Sequence, residues 1–249
     1  MTGPAAPPGW YRDPWSPWAV RWWDGGAWHG STVPWTSSPW DATAAMAREC
    51  TAARWARVGM WGLAVTALAG TVEVTAVVRS FADLLGRAGT AGVRAPLAYG
   101  ALFPFLGVCW LLTLAGEAAL MVWGHAAAEH ARRLGLPARL TPVWAVVGWL
   151  VPVGALFLPY WVLRDCLPPG ALAARAAVLR WWLLFVLGVP TGMVLGLLGL
   201  AGWAGAAAAV VAGAGYGAVQ AMRGRVVVDT ITAAHEQATA AIWGRAPAA

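Results

Sequence analysis

Five apolar stretches between positions 58 and 220 restrict this chain more than any other feature. Residues 58–78 run 21 long with a single charge, Glu73, and residues 97–123 run 27 long with a single charge, Glu117. Residues 144–163 carry no charge at all but contain Pro152 and Pro159. Residues 181–200 and 203–220 follow, separated only by Ala201 and Gly202. A helix crosses a hydrocarbon core of about 30 Å with about 20 apolar residues, so each stretch is a candidate crossing. Only 11% of the chain is charged, against about 25% in ordinary soluble domains. The body reads as an all-α integral membrane helical bundle.

Arginine placement decides how many stretches cross. Every one of the 17 basic residues is arginine. If all five cross with the N-terminus in the cytoplasm, eight arginines lie inside and nine outside, which is no bias. If residues 144–163 enter and return on one side, fourteen lie inside and only Arg79, Arg87 and Arg94 outside. The positive-inside tendency selects the second count. The prolines agree: each lacks an N–H and clashes with the carbonyl four residues back, so two of them break the helix twice. Such backbone is tolerated at membrane depth where protein or a wet cavity covers it. A kinked but fully spanning helix is the other reading. We expect four crossings plus a Pro-broken re-entrant or interfacial helix, in a multi-pass protein of the cell membrane with both termini cytoplasmic. The first 57 residues hold no apolar core of a signal peptide, so the first crossing is expected to act as an uncleaved anchor.

Inside the membrane body few residues suggest chemistry. Gly188, Gly192 and Gly196 repeat every four residues, as do Gly213 and Gly217. Small-xxx-small faces let helix backbones approach, here within the last helical hairpin or, on the sharper reading, in a homo-oligomer seam. Glu73 and Glu117 are costly at depth. Each is expected near a helix end, at opposite depths, where a carboxylate can reach the interface or bond a neighbour. Cys50, Cys109 and Cys166 show no CxxC spacing, so neither a disulfide framework nor a metal site is expected. His125 and Glu129 share a helical face, followed by His130, without a metal-binding spacing; the stretch reads as a helix end with Arg132, Arg133 and a stop at Gly135. Residues 170–180 read as a short basic helix on the inner leaflet. Residues 223–249 read as a cytosolic tail in which His235 is solvated. No catalytic constellation and no cofactor site is expected, hence no enzyme. The +6 net charge is a topology and lipid signal, with no nucleic acid as partner.

Ahead of this body, residues 7–30 hold six tryptophans. Residues 9–14 read as an aromatic strand stopped by Asp13-Pro14. Residues 19–23 read as a second strand, with Asp24-Gly25 as a turn and Ala27-Trp28-His29 as a third strand. So small a unit cannot build an aliphatic core, and tryptophans burying 150–250 Å² each replace one. Trp10, Trp22 and Pro34 are expected to form that core. Arg21, Trp23 and Trp28 are expected to form an exposed binding platform. The domain plan is a three-stranded antiparallel β module over 1–34 and a Ser/Thr/Pro/Ala-rich linker over 35–54, too polar to fold. The membrane domain over 55–222 and the tail follow.

The pattern Pro8-Gly9-Trp10-Tyr11, Asp13-Pro14, Arg21-Trp22-Trp23-Asp24-Gly25, Trp28 and Pro34 closely resembles domain-of-unknown-function family 2510. That family is a short module often placed ahead of membrane segments in actinobacterial proteins. Arg12 departs from it where proline is frequent. The stretch 141–165, with Trp149, Pro152, Pro159 and Tyr160, resembles the central signature of domain-of-unknown-function family 4328, a multi-helix membrane family that would cover roughly residues 55–222. The usual asparagine between the prolines and glutamine after the second are replaced by apolar residues, which puts any site built on them in doubt. Neither resemblance implies an activity. Two functional classes follow. The first is a non-enzymatic membrane protein whose Trp-rich module, similar to WW domains, recruits a Pro-rich protein segment or touches inner-leaflet headgroups. The alternative is a small transporter or channel using the broken helix 144–163.

Overall fold

The computed structural model describes residue 7 and residues 9–28, 33–34, 39–86, 102–198 and 201–243. Helices dominate it. Helix α1 spans Pro39–Gly86, α2 Leu102–Arg133, α3 Trp144–Leu150, α4 Leu158–Asp165, α5 Leu172–Leu198 and α6 Gly202–Trp243. Among the described residues, three helical segments are long and apolar enough to cross a membrane: Gly107–Arg133, Leu172–Leu198 and Ala204–Ala241. The expected crossing at 58–78 lies inside α1. Its acid, Glu73, falls outside the described side chains, as do most positions beyond Val65.

Several helices run further than the hydropathy pattern suggests. Residues 39–54 are the start of α1 rather than an unfolded linker; Trp40 is helical, and Trp35 lies outside the described residues. Residues 172–180 are the first turns of α5 and not a separate surface helix. The tail is a continuation of α6 as far as Trp243. In each case polarity rises while Gly or Pro punctuation is missing or ineffective. Nothing therefore stops the i→i−4 ladder.

The N-terminal sheet has the order β1-β2-β3, with β1 at Gly9–Asp13, β2 at Ser16–Trp23 and β3 at Val33–Pro34, all antiparallel. The third strand differs from expectation. Ala27 and Trp28 are not part of it, and Trp28 meets Trp23 through an isolated bridge, while His29 lies outside the described residues. Asp24 explains why: its Oδ1 accepts from the N–H of Gly26 at 2.8 Å and of Ala27 at 2.6 Å. That side-chain turn, with Gly25 at φ 102°, closes a wider loop than a two-residue hairpin.

The chain divides into two units, residues 1–56, 119–182 and 225–249, and residues 57–118 and 183–224. In the second unit α1 and α2 touch backbone to backbone. A Cβ on Gly116 would lie 2.6 Å from the Gly59 carbonyl, and one on Gly62 would lie 2.8 Å from that of Leu112. Trp61, Val65, Leu111, Leu187 and Val189 of this unit are exposed, the surface expected of a body solvated by lipid.

The first unit contains the broken segment. Helix α3 ends at Leu150, a 3₁₀ turn occupies Gly154–Leu156, and α4 restarts with Pro159 in its first turn. Proline is tolerated there because the first-turn N–H groups have no helical partner. The two arms fold against each other, with the Gly148 Cβ position 3.0 Å from Leu158 Cβ. At about 1.5 Å per residue, neither arm is long enough to cross a bilayer. Helix α2 ends as the sequence suggests: Leu136 N–H reaches the Ala131 carbonyl at 3.0 Å, Gly135 N–H reaches that of Arg132 at 2.9 Å, and Gly135 has φ 72°.

Candidate functional site

Three helices of the first unit each carry one narrow buried stripe. On α1 it comprises Ala45, Glu49, Ala52, Ala53 and Ala56; on α2, Leu120, Trp123, Ala127, His130 and Ala131; on α6, Val227, Val228, Ile231, His235 and Ala238. These spacings of three and four define one helical face. Each stripe is interrupted by a single ionisable residue. Glu49, His130 and His235 are all 0% exposed.

The three side chains converge. His130 Nδ1 lies 2.6 Å from Glu49 Oε2, and His235 Nδ1 lies 2.9 and 2.8 Å from the two carboxylate oxygens. The imidazoles meet edge to face with centroids 5.1 Å apart. Their far nitrogens are also engaged. His235 Nε2 faces the Cys166 carbonyl at 2.8 Å, and His130 Nε2 faces Thr239 Oγ1 at 3.2 Å. The Thr239 hydroxyl donates in turn to the His235 carbonyl at 2.8 Å. Two turns along α2, Trp123 Nε1 donates to Thr232 Oγ1 at 3.4 Å.

Burial pushes the Glu49 carboxyl up, but the charge and hydrogen bonds of His235 and His130 outweigh it and hold the group below the ordinary carboxylate range. Glu49 is therefore an ionised acceptor in a dry place. Burial, with Glu49 and Asp165 nearby, pushes the Cys166 thiol well above its usual value, and the thiol donates to the Val162 carbonyl at 3.3 Å. Only the main chain of Cys166 joins the cluster. One carboxylate and two imidazoles, with donor atoms within 4.8 Å of one another, can share protons or chelate a cation.

Neither Glu49 nor the pairing was anticipated, and the reading of His235 as solvated is overturned by its complete burial. The signal was present. A lone ionisable residue in an otherwise apolar 3.6-period stripe must face a neighbouring helix, and three stripes each had one. His125 and Glu129, which share a face, part company: His125 Nδ1 is 3.1 Å from the Pro142 carbonyl, while Glu129 accepts from Arg133 at 2.6 Å.

The tryptophan module forms a second candidate surface. Trp22 is 8% exposed, whereas Trp23 and Trp28 are half-buried with ring centroids 5.2 Å apart. Tyr11 and Trp15 each meet Trp28 edge-on, at 6.2 and 6.4 Å, and Trp15 is 68% exposed. Arg21 lies 4.8 Å over the Trp15 ring and donates twice to Asp13 Oδ2, at 3.1 and 3.0 Å. The register sets Trp10 opposite Trp22 and Pro34 opposite Ala19; the side chains of Trp10 and Pro34 lie outside the described residues. Trp22 and Asp24 also line a cleft of about 940 Å³ with Leu167, Ala171, Thr230 and Gln237.

Several of the other anticipated residues serve packing. Trp149 meets Trp182 edge-on at 5.6 Å, and Trp182 Nε1 donates to the Leu156 carbonyl at 3.1 Å. Pro152 is exposed at the break and Pro159 buried, while Tyr160 lies under Arg164 at 5.8 Å. Gly188 faces Tyr216, whose hydroxyl donates to the Leu184 carbonyl, so this glycine serves the α5–α6 hairpin. Gly192 has nothing within 4 Å of its Cβ position; Gly196, Gly213 and Gly217 are buried, and Glu117 is half-buried.

A family model described as Domain of unknown function (DUF4328) matches residues 98–243, more than half of the chain. It starts later and runs further than the span 55–222 expected from the signature. His130, Cys166, His235 and Thr239 fall within the match and Glu49 outside it. No curated protein and no solved structure matches the chain.

Proposed function

The chain belongs to the family Domain of unknown function (DUF4328), and from that premise we propose that it is a non-enzymatic multi-pass protein of the cell membrane that recruits a proline-rich protein segment through its N-terminal aromatic module. The observation that carries this reading is the cluster of Tyr11, Trp15, Trp23 and Trp28, with Trp15 68% exposed. A large apolar ring held outward by neighbouring rings, in a turn braced by Asp13 and Arg21, has the character of a polyproline II docking surface. Such surfaces take a ligand that is already extended and loses little entropy on docking.

In this reading the body supplies four crossings, at 58–78, 97–123, 181–200 and 203–220. The hairpin formed by α3 and α4 lies at the cytoplasmic interface with its apolar tip in the bilayer. Leu150, Val151, Val153, Leu156 and Phe157 at that tip are exposed, which suits immersion. The same apolar tip gives a substrate nothing to hold, so transport is not favoured.

The test titrates a labelled proline-rich peptide with the full-length protein in nanodiscs and reads anisotropy. Saturable binding lost in Trp15→Ala and Trp23→Ala, with helix content unchanged, is expected. Binding that survives both substitutions overturns the reading. So does a module that binds anionic vesicles and ignores the peptide, which would make it a membrane-surface anchor.

A further inference from the structure

We propose that Glu49, His130 and His235 bind a first-row divalent transition ion of the Zn²⁺ type, clamping α1, α2 and α6 together. The argument rests on where the protons must be. A backbone carbonyl only accepts, so His235 Nε2, 2.8 Å from the Cys166 carbonyl, carries a hydrogen. Thr239 uses its hydroxyl proton on the His235 carbonyl one turn back, so its oxygen accepts from His130 Nε2. Both far nitrogens are thus N–H donors. Both Nδ1 atoms then point at a carboxylate, either as lone pairs or as additional N–H groups.

If both were N–H, two imidazolium rings would stand 5.1 Å apart with no water around them. Their like charges would flank a single carboxylate. One charged ring would donate to the carboxylate but leave the other ring's lone pair facing it; two lone pairs and a carboxylate converging on one point form a ligand set, and a divalent cation between them satisfies all three. The outward N–H bonds complete the picture. Metal-bound histidines habitually donate the second ring N–H to a carbonyl or similar acceptor, which fixes the tautomer and the ring plane. Here both do. The three ligands arrive from three helices, as donor atoms within 4.8 Å of one another. Two imidazoles and one carboxylate suit Zn²⁺ or Fe²⁺; Ca²⁺ and Mg²⁺ take oxygen donors. Bonds of about 2.0–2.1 Å require the carboxylate to move away from the rings, whose nitrogens now lie 2.6–2.9 Å from it.

The ion would staple helices whose meeting face is otherwise largely alanine. Ala45, Ala52, Ala53 and Ala56 bury little apolar area individually, so the α1 stripe gains disproportionately from a central clamp.

The test uses the full-length protein in detergent, stripped with chelator, desalted and titrated with Zn²⁺ or Co²⁺. One ion per chain by elemental analysis is expected, with Co²⁺ ligand-field bands on the unaltered chain. His130→Ala and His235→Ala should lose the ion, while His125→Ala, off the cluster, keeps it. Thr239→Val, which retains the shape and removes the acceptor for His130, should weaken Zn²⁺ about 10–100-fold. The opposing arrangement is a metal-free triad in which Thr239 turns its proton to His130 Nε2. An unaltered chain that takes up no Zn²⁺ and shows no Co²⁺ bands, or Thr239→Val and His235→Ala chains that bind as tightly as the unaltered one, establishes that triad and overturns the proposal.

Discussion

A carboxylate sealed from water stays ionised only where neighbours replace the lost solvation, and at Glu49 two imidazoles do so. Glu49→Ala would leave both rings facing a void. Removing one member of a buried charged group costs about 3–5 kcal/mol, so the melting temperature of the full chain in detergent should fall by several degrees. A fall no larger than that of His125→Ala would show the cluster to be energetically idle. Asp13 plays a comparable part in the module: buried, it accepts from the Trp15 N–H at 2.8 Å and from Arg21. Asp13→Ala should cost on the order of 2 kcal/mol, the range for hydrogen bonds to charged groups. Hydrogen exchange at β1 and β2 should quicken while α2 and α6 keep their protection; equal loss in both places would deny the module its own stability. These residues were unequally legible. Asp13 sits beside a proline at an obvious turn, so its role is local. The Glu49 and His235 partnership spans 186 positions, and no local pattern encodes it. Only the apolar stripe around each residue signals that it points inward.

At the scale of elements, the close crossing of α1 and α2 is a tight steric constraint in the second unit. Gly116→Val would place a Cβ 2.6 Å from the Gly59 backbone oxygen, and neither backbone can yield without separating the helices. Overpacking of this kind typically costs about 1–3 kcal/mol. Gly192→Ala, with open space around its Cβ position, should leave stability within about 0.5 kcal/mol. Thermal melts of the two variants compare them directly, and equal effects would deny the crossing. The sequence advertised only some of the glycines that matter: Gly188 does meet Tyr216, but the crossing of α1 and α2 went unannounced. The four-residue repeat at 188, 192 and 196 is conspicuous, whereas Gly59, Gly62 and Gly116 follow no repeat and matter through the partner they meet. Hydropathy located the three helices that are long and apolar enough to cross a membrane among the described residues, because suitability for lipid is read from composition alone. It cut the helices short because composition changes at the headgroups while helix propensity does not. The interruption of residues 144–163 was legible for the opposite reason, since proline acts on its own backbone.

For the whole molecule the distribution of charge gives direction. Fourteen of seventeen arginines fall on one side if the hairpin of α3 and α4 returns to the face it left, and on that proposal the module, the hairpin and the end of α6 share one compartment. A protein that recruits a cytoplasmic partner must present Trp15 there. Labelling with a membrane-impermeant thiol reagent tests this most directly, in a chain whose Cys50, Cys109 and Cys166 are replaced by alanine. Trp15→Cys and Pro169→Cys, both exposed positions, should resist the reagent in intact cells and react in inside-out vesicles, while Thr90→Cys does the reverse. Modification of either position 15 or position 169 in intact cells would contradict the account.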